Sequence, residues 1–324
     1  MTQNPRSYTT KTNFTDRLSG VLYGVAVGDG LGAPLEFLDA STIRSKYGTV
    51  REMIGGGWLN VAPGEVTDDT QMTLCVAEGI EESPYNPIDP IGRRFVEWYK
   101  SGPKDVGGTC AMSISGAIRH GSNPIEPSFE RWYEASRDTH AMSGGKSAGN
   151  GSLMRTAYVG IYYPEEHFVA SFAADISQMT HYDTLAADAC VAYSLMIHRM
   201  IREGNPNTRR AIIPETIADC GYSDTYNCEV LGSELFRPQP TGYVVDSFKA
   251  ALHCILTTDT FEEAVVKAVN LGGDADTIGA ITGGLAGALY GFTAIPIRWL
   301  TRLDPAISSR IDRLNRIAIE AQPR

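Results

Sequence analysis

At 324 residues, 43% hydrophobic and 20% charged, the chain has ordinary globular composition and is long enough to bury a sizeable core. A formal net charge of −10 argues against a general nucleic-acid surface, which would carry a basic stripe. Six cysteines without a CxxC pair, five of them in helical-looking segments, read as reduced thiols of a cytoplasmic protein.

Met1 to Asn13 is polar and aperiodic, so it reads as a mobile arm rather than a signal peptide. Phe14 to Gly32 is the first predicted helix, with glycines at 20, 24, 28 and 32 on one face. Glycine inside a helix costs about 1 kcal/mol relative to alanine, so the stripe needs a packing reason. Gly279, Gly283, Gly287 and Gly291 repeat the device late in the chain. The two glycine faces are expected to build a tightly packed centre, against each other or each against another neighbour. Asp29 lies inside the first stripe and is expected to point inward, and Glu36 follows it closely. The loop Gly55-Gly56-Gly57-Trp58 lacks the spacing of a phosphate-binding loop.

Ile91 to Ser101 is an amphipathic helix ending at Gly102-Pro103. Asp105 stands before the next helix, Cys110 to His120, where a cap is the simplest reading. A turn at Ser122-Asn123-Pro124 leads to an aromatic helix, Phe129 to Ser136. Gly144 to Ser152 is a glycine-rich turn running into a helix at Leu153-Met154-Arg155, suited to hold phosphate on its backbone N–H groups. It lacks the first glycine of a P-loop and a preceding strand, which argues against a nucleotide triphosphatase. Helices at Phe168–Gln178 and Thr184–Arg202 flank His181. Glu203 to Gly242, interrupted by Pro206, Pro214, Pro238 and Pro240, reads as a surface excursion. Helices at Asp246–Thr257, Phe261–Val269 and Asp304–Gln322 complete the chain. Ile278 to Ile297 carries no charge and matches a bilayer in length, but its five glycines and the neighbouring aspartates favour a buried central helix over a membrane span. Strand patterns are nearly absent, so the expected fold is all-α, one domain over residues 14–324 with more than ten helices.

Two stretches carry the chemistry. Thr67-Asp68-Asp69-Thr70 and Gly272-Gly273-Asp274-Ala275-Asp276-Thr277 each place a hydroxyl and paired carboxylates where a helix begins. Each alone is a good cap. Together they read as halves of one metal site, because carboxylates about 4 Å apart repel by roughly 4 kcal/mol at an effective dielectric of about 20. Convergent aspartates must take up protons or bind cations. Oxygen-only donors select hard ions, Mg²⁺ or Mn²⁺, and two of them suit this many carboxylates.

Five blocks, Gly28-Asp29-Gly30-Leu31-Gly32-Ala33-Pro34-Leu35-Glu36, Thr67 to Thr70, Gly149-Asn150-Gly151 with Met154-Arg155, Thr180-His181, and Gly272 to Thr277, resemble in their order the ADP-ribosylglycohydrolase family. The resemblance implies an all-α fold with two divalent cations at the base of a cleft, and hydrolysis of ADP-ribose linkages. It assigns Thr67, Asp68, Asp69, Asp274, Asp276 and Thr277 as metal ligands. Glu36 matches the family's mobile glutamate, and Asp69 joins it in the reacting machinery. Ser147, Gly149, Asn150 and Gly151 match the loop that holds the diphosphate, with Asp29 and His181 also on the substrate side. Tyr182-Asp183 depart from the Gly-His/Asp pair frequent in the family. Asp105-Val106-Gly107-Gly108-Thr109 is similar to the Asp-Ile-Gly-x-Thr stretch of the arginine-specific branch, so Asp105 is expected to hold a guanidinium. The implied substrate is an ADP-ribosylated protein, made by a toxin or a regulatory ADP-ribosyltransferase. O-linked ADP-ribose and a catalytically silent ADP-ribose binder are the alternatives.

Overall fold

The computed structural model describes residues 13–119, 129–203 and 205–323, which form sixteen α-helices. In chain order these are α1 (Phe14–Gly32), α2 (Ala40–Tyr47), α3 (Asp68–Glu82), α4 (Ile88–Lys100), α5 (Gly108–Arg119), α6 (Phe129–Met142), α7 (Ala157–Tyr162) and α8 (Glu166–Gln178). They continue with α9 (Thr184–Glu203), α10 (Arg209–Asp219), α11 (Cys228–Leu231), α12 (Val244–Leu256), α13 (Phe261–Val269), α14 (Ala275–Tyr290), α15 (Ile297–Leu300) and α16 (Pro305–Glu320). Among the described residues the only β pairing is three isolated bridges. Of the expected arm, Met1 to Asn13, residues 1–12 lie outside the described residues, as does the turn at Ser122 to Pro124, while Asn13 caps α1 by accepting from Asp16 N.

Helices α1 and α14 form the axis, and their glycine faces meet each other in antiparallel order. A Cβ on Gly24 would overlap the Gly283 carbonyl and one on Gly283 the Gly24 carbonyl; Gly28 faces Gly279, and Gly20 faces Gly287, in the same way. Backbones this close exclude any side chain between them, which is why the sequence tolerates the helix-weakening glycines. The stripe is one residue shorter than expected: Gly291 ends α14 with φ +85° instead of continuing it. Every residue of α14 is buried. Of the described helices, it is α1 with its extension to Leu35 that has the length and apolarity of a bilayer span, and 94% of that window is packed inside the protein.

The other helices wrap this pair around one contiguous apolar core that runs from Leu18 to Ala318. The expected surface excursion is partly core: α10 carries Pro214 internally, yet buries Ile212, Ile213 and Ile217. Proline density misled there because helix α10 keeps its apolar face despite losing one backbone donor. All six cysteines are unpaired. The axis matters for function because α14 starts where α1 ends. Asp29 and Glu36, at one end of the pair, are thereby brought to Asp274 and Asp276.

Candidate metal centre and cleft

Helix α3 begins at Asp68, and its cap comes from another helix. Thr67, at the N-cap position, makes no side-chain cap of its own. Instead the wholly buried Asp29 of α1 accepts from the backbone N–H of Thr67 at 3.0 Å and of Thr70 at 3.1 Å. Both threonine hydroxyls also donate to it. Burial lifts the Asp29 carboxyl to about 6, opposed by these four donors. The sequence places Asp29 on the substrate side; in the structure both its oxygens are spent on the start of α3, behind the cleft.

Helix α14 begins just after Gly272 and Gly273, with φ +74° and +62°. A Cβ on Gly273 would overlap the Pro240 carbonyl, so this turn requires glycine. Phe37 N donates to Gly273 O at 2.7 Å and Gly273 N to Leu38 O at 2.7 Å. That two-way link ties the segment after Glu36 to the turn before Asp274.

The carboxylates converge. Glu36, Asp105 and Asp276 each place an oxygen within 4.8 Å of the others. Thr277 Oγ1 donates to Asp69 Oδ2 at 3.4 Å, and Thr67 Oγ1 to the same oxygen at 3.3 Å. Burial, reinforced by neighbouring carboxylates, pushes Asp68, Asp69 and Asp276 well above the usual range. Glu36 rises to about 8, chiefly by burial and against its hydrogen bond from Trp58, with Asp105 and Asp274 adding to the rise. Asp105 is raised by burial and by Asp274. No lysine or arginine is paired with any of these carboxylates among the described residues. Asp69 Oδ1 is buried with no hydrogen-bond partner among the described residues. An orphaned carboxylate oxygen among acidic neighbours is what a hard cation would satisfy, and the all-oxygen donor set fits a divalent ion.

A cleft of about 360 Å³ opens onto this cluster. Glu36, Asp68, Asp105, Asp274 and Thr277 line it, together with the stretch Val106–Cys110 and with Gly149, Asn150, Gly151 and His181. Asn150 Nδ2 donates to Asp274 Oδ2 at 2.7 Å and to Ser247 Oγ at 2.8 Å, so its side chain orients a carboxylate while its neighbours' backbone faces the cleft. Ser147 is buried and turned to His140, whose Nδ1 lies 2.7 Å from its hydroxyl; it is not on the cleft wall. His181 packs against the two glycines, since a Cβ on Gly149 or Gly151 would stand 3.2 Å from its ring. Burial, then Arg155, depresses its pKa to about 3, so the ring is neutral. Arg155 is itself wholly buried, donating to Gly151 O at 3.2 Å, Ile176 O at 3.0 Å and Thr180 Oγ1 at 2.8 Å. It pins the glycine turn to the Thr180-His181 junction. Asp183, where the sequence leaves the family pattern, accepts from Leu185 N at 3.0 Å at the start of α9.

Sequence reasoning passed over Phe37 and Trp58, which form the cleft mouth with ring centroids 5.4 Å apart. The available signal was Gly55-Gly56-Gly57, three residues with φ of +67°, +92° and +70°. Such a run marks a shaped loop, not a linker.

The chain matches known proteins over nearly its whole length. The ADP-ribosylglycohydrolase family profile matches residues 10–324. The chain is 33% identical over 301 residues to the ADP-ribosyl-[dinitrogen reductase] glycohydrolase of Rhodospirillum rubrum, covering 92% of this chain and 94% of that protein. It is 30% identical over 304 residues to the ADP-ribosylarginine hydrolase Tri1 of Serratia proteamaculans, covering 89% of this chain and 75% of that protein. A solved structure of an ADP-ribosylglycohydrolase-related protein complex superposes with a TM-score of 0.76 at 30% identity, covering 94% of this chain and 99% of the other.

Proposed function

The chain belongs to the ADP-ribosylglycohydrolase family, and on that premise we propose that it removes ADP-ribose from arginine side chains of modified proteins, using two divalent cations, Mg²⁺ or Mn²⁺. Family and relatives indicate ADP-ribosyl glycohydrolase activity as a class. The arginine choice rests on one observation. Asp105 puts a half-buried carboxylate on the cleft wall, with an oxygen within 4.8 Å of oxygens of Glu36 and Asp276. A guanidinium arriving there meets a carboxylate suited to charge-assisted, forked pairing.

Asp68, Asp69, Asp274 and Asp276, with the hydroxyls of Thr67 and Thr277, would hold the cations. The cations would supply Lewis acidity and a template for the ribose hydroxyls. Backbone N–H groups of Gly149 and Gly151, which line the cleft, would meet the diphosphate, while the Asn150 N–H is given to Gly242 O at 3.0 Å and neutral His181 lies beside them. With the cations bound, Glu36 would be ionised and would accept the proton of the attacking water as the C1″–N bond breaks. The guanidinium leaves as neutral guanidine, oriented by Asp105, and recovers its proton from solvent. The reaction follows that of an ADP-ribosyltransferase acting on the same target, in the cytoplasm where unpaired thiols persist.

The test is release of ADP-ribose from matched arginine- and serine-modified peptides with Mg²⁺, Mn²⁺ or a chelator. Cleavage of the arginine peptide alone, abolished by the chelator, is expected. Serine cleavage would overturn the role of Asp105. Binding of ADP-ribose without release from either peptide would leave a binder, not a hydrolase.

A further inference from the structure

Glu36 should not stay where it is unaided. Its neighbours Asp105, Asp274 and Asp29 are all acidic, and a flexible glutamate can relieve their repulsion by swinging out to solvent. It nonetheless stays 7% exposed. Among the described residues its carboxylate has one hydrogen-bond donor, the indole Nε1 of Trp58, 2.6 Å from Oε2.

Trp58 is built to hold still. Gly56 and Val61 exchange both backbone hydrogen bonds, at 2.7 and 2.9 Å, closing a tight loop around the indole. A Cβ on Gly57 would lie 2.8 Å from Pro34 Cα, so the loop rests on the 3-10 turn (Ala33–Leu35) that immediately precedes Glu36. On the other side Phe37, held at φ +62°, lays its ring against the indole at 5.4 Å. A non-glycine residue in that conformation is costly and marks a site that constrains it. Core packing does not explain the tryptophan, because it is 54% exposed.

We propose that Trp58 is a positioning residue that holds the Glu36 carboxylate turned into the cleft, clamped between the Gly55–Gly57 loop and Phe37. The proposal rests on the functional reading only for its effect on turnover; the contact itself is testable without activity. Of the four tryptophans, Trp98, Trp132 and Trp299 are at most 9% exposed, so acrylamide quenching of intrinsic fluorescence reports on Trp58.

In the full-length protein, Glu36→Ala frees the indole and is expected to raise quenching, whereas Asp105→Ala, which removes a neighbouring carboxylate not bonded to Trp58, leaves it unchanged. Equal quenching in wild type and Glu36→Ala overturns the proposal whether or not the protein is a hydrolase. In turnover, Trp58→Phe keeps a ring against Phe37 and loses only the donor. It is expected to lower kcat by about 10- to 100-fold with KM and thermal midpoint unchanged. An unchanged kcat, or a rise in KM alone, overturns it. If no substrate turns over, the functional reading fails and the quenching result alone decides this one.

Discussion

Thr277 Oγ1 lies 3.4 Å from Asp69 Oδ2, joining the first turns of two helices whose contacting residues are 208 positions apart in the chain. Both helix N-termini therefore aim at one point, each bringing acidic side chains to the positive end of its dipole. The dipoles soften the repulsion without removing it. The consequences are measurable.

Asp69→Asn should separate stability from metal binding. The amide keeps an acceptor for Thr67 and Thr277 while removing a buried carboxyl that is costly to ionise. Differential scanning fluorimetry without metal should give a midpoint equal to or above wild type, and the upward shift on adding Mn²⁺ should vanish. A full Mn²⁺ shift in the variant would remove Asp69 from the ligand set.

The metal-free protein should lose stability as pH rises. Asp29 and Glu36 have folded pKa values of about 6 and about 8, above their unfolded values near 4. A carboxyl raised on folding binds more protons in the folded state, so its contribution is complete below about pH 4 and fades as pH climbs through the folded value. With chelator, the midpoint should fall between about pH 5 and 8, and the gain from Mg²⁺ or Mn²⁺ should grow over the same range. A metal gain that shrinks with pH would contradict the acidic cluster as the binding site.

Glycines of one helix should behave in opposite ways. Gly28→Ala drives a Cβ into the Gly279 carbonyl, whereas at Gly30 the nearest atom stands 3.4 Å away. Urea unfolding should show Gly28→Ala destabilised by about 1–3 kcal/mol or more. Gly30→Ala should be neutral or stabilised by up to about 1 kcal/mol. Similar effects at both positions would mean that helix propensity, not backbone contact, governs the stripe.

Asn150→Ala should weaken the site from behind. Asp274 loses the donor that orients its Oδ2 at 2.7 Å. Metal affinity measured by titration calorimetry is expected to drop about 10- to 100-fold, the usual cost of losing such a partner. Unchanged affinity with weaker ADP-ribose binding would place Asn150 on the ligand instead.

The sequence was most legible where local physics decides. Phe14–Gly32 and Phe261–Val269 stand at their predicted limits, because periodicity and flanking residues fix them without outside help. Helix α10 was missed because proline density outweighed its apolar face, and α2 because eight residues with one buried side chain carry almost no pattern. The paired acidic helix starts were also legible, since two such motifs satisfy local capping rules yet hold more negative charge than caps require. The glycine stripes announced a close approach but not which backbones approach.

What only the tertiary structure decided is the division of labour among the acids. Asp29 and Asp69 look alike in sequence; one became the cap of a foreign helix, the other holds an unpartnered buried oxygen. Asp105 reads as a simple cap by spacing, yet it sits with Glu36 and Asp276. Asn150 reaches Asp274 across 124 positions, and Glu36 accepts from a tryptophan in the glycine-rich loop at Gly55–Gly57, to which the sequence assigned no role. By itself the sequence determined most of the long helices, the glycine faces and the acidic identity of the site, because backbone capping and periodicity act over a few residues. A carboxylate's role depends on burial and on neighbours within a few ångströms, and those neighbours are supplied by the α1–α14 crossing.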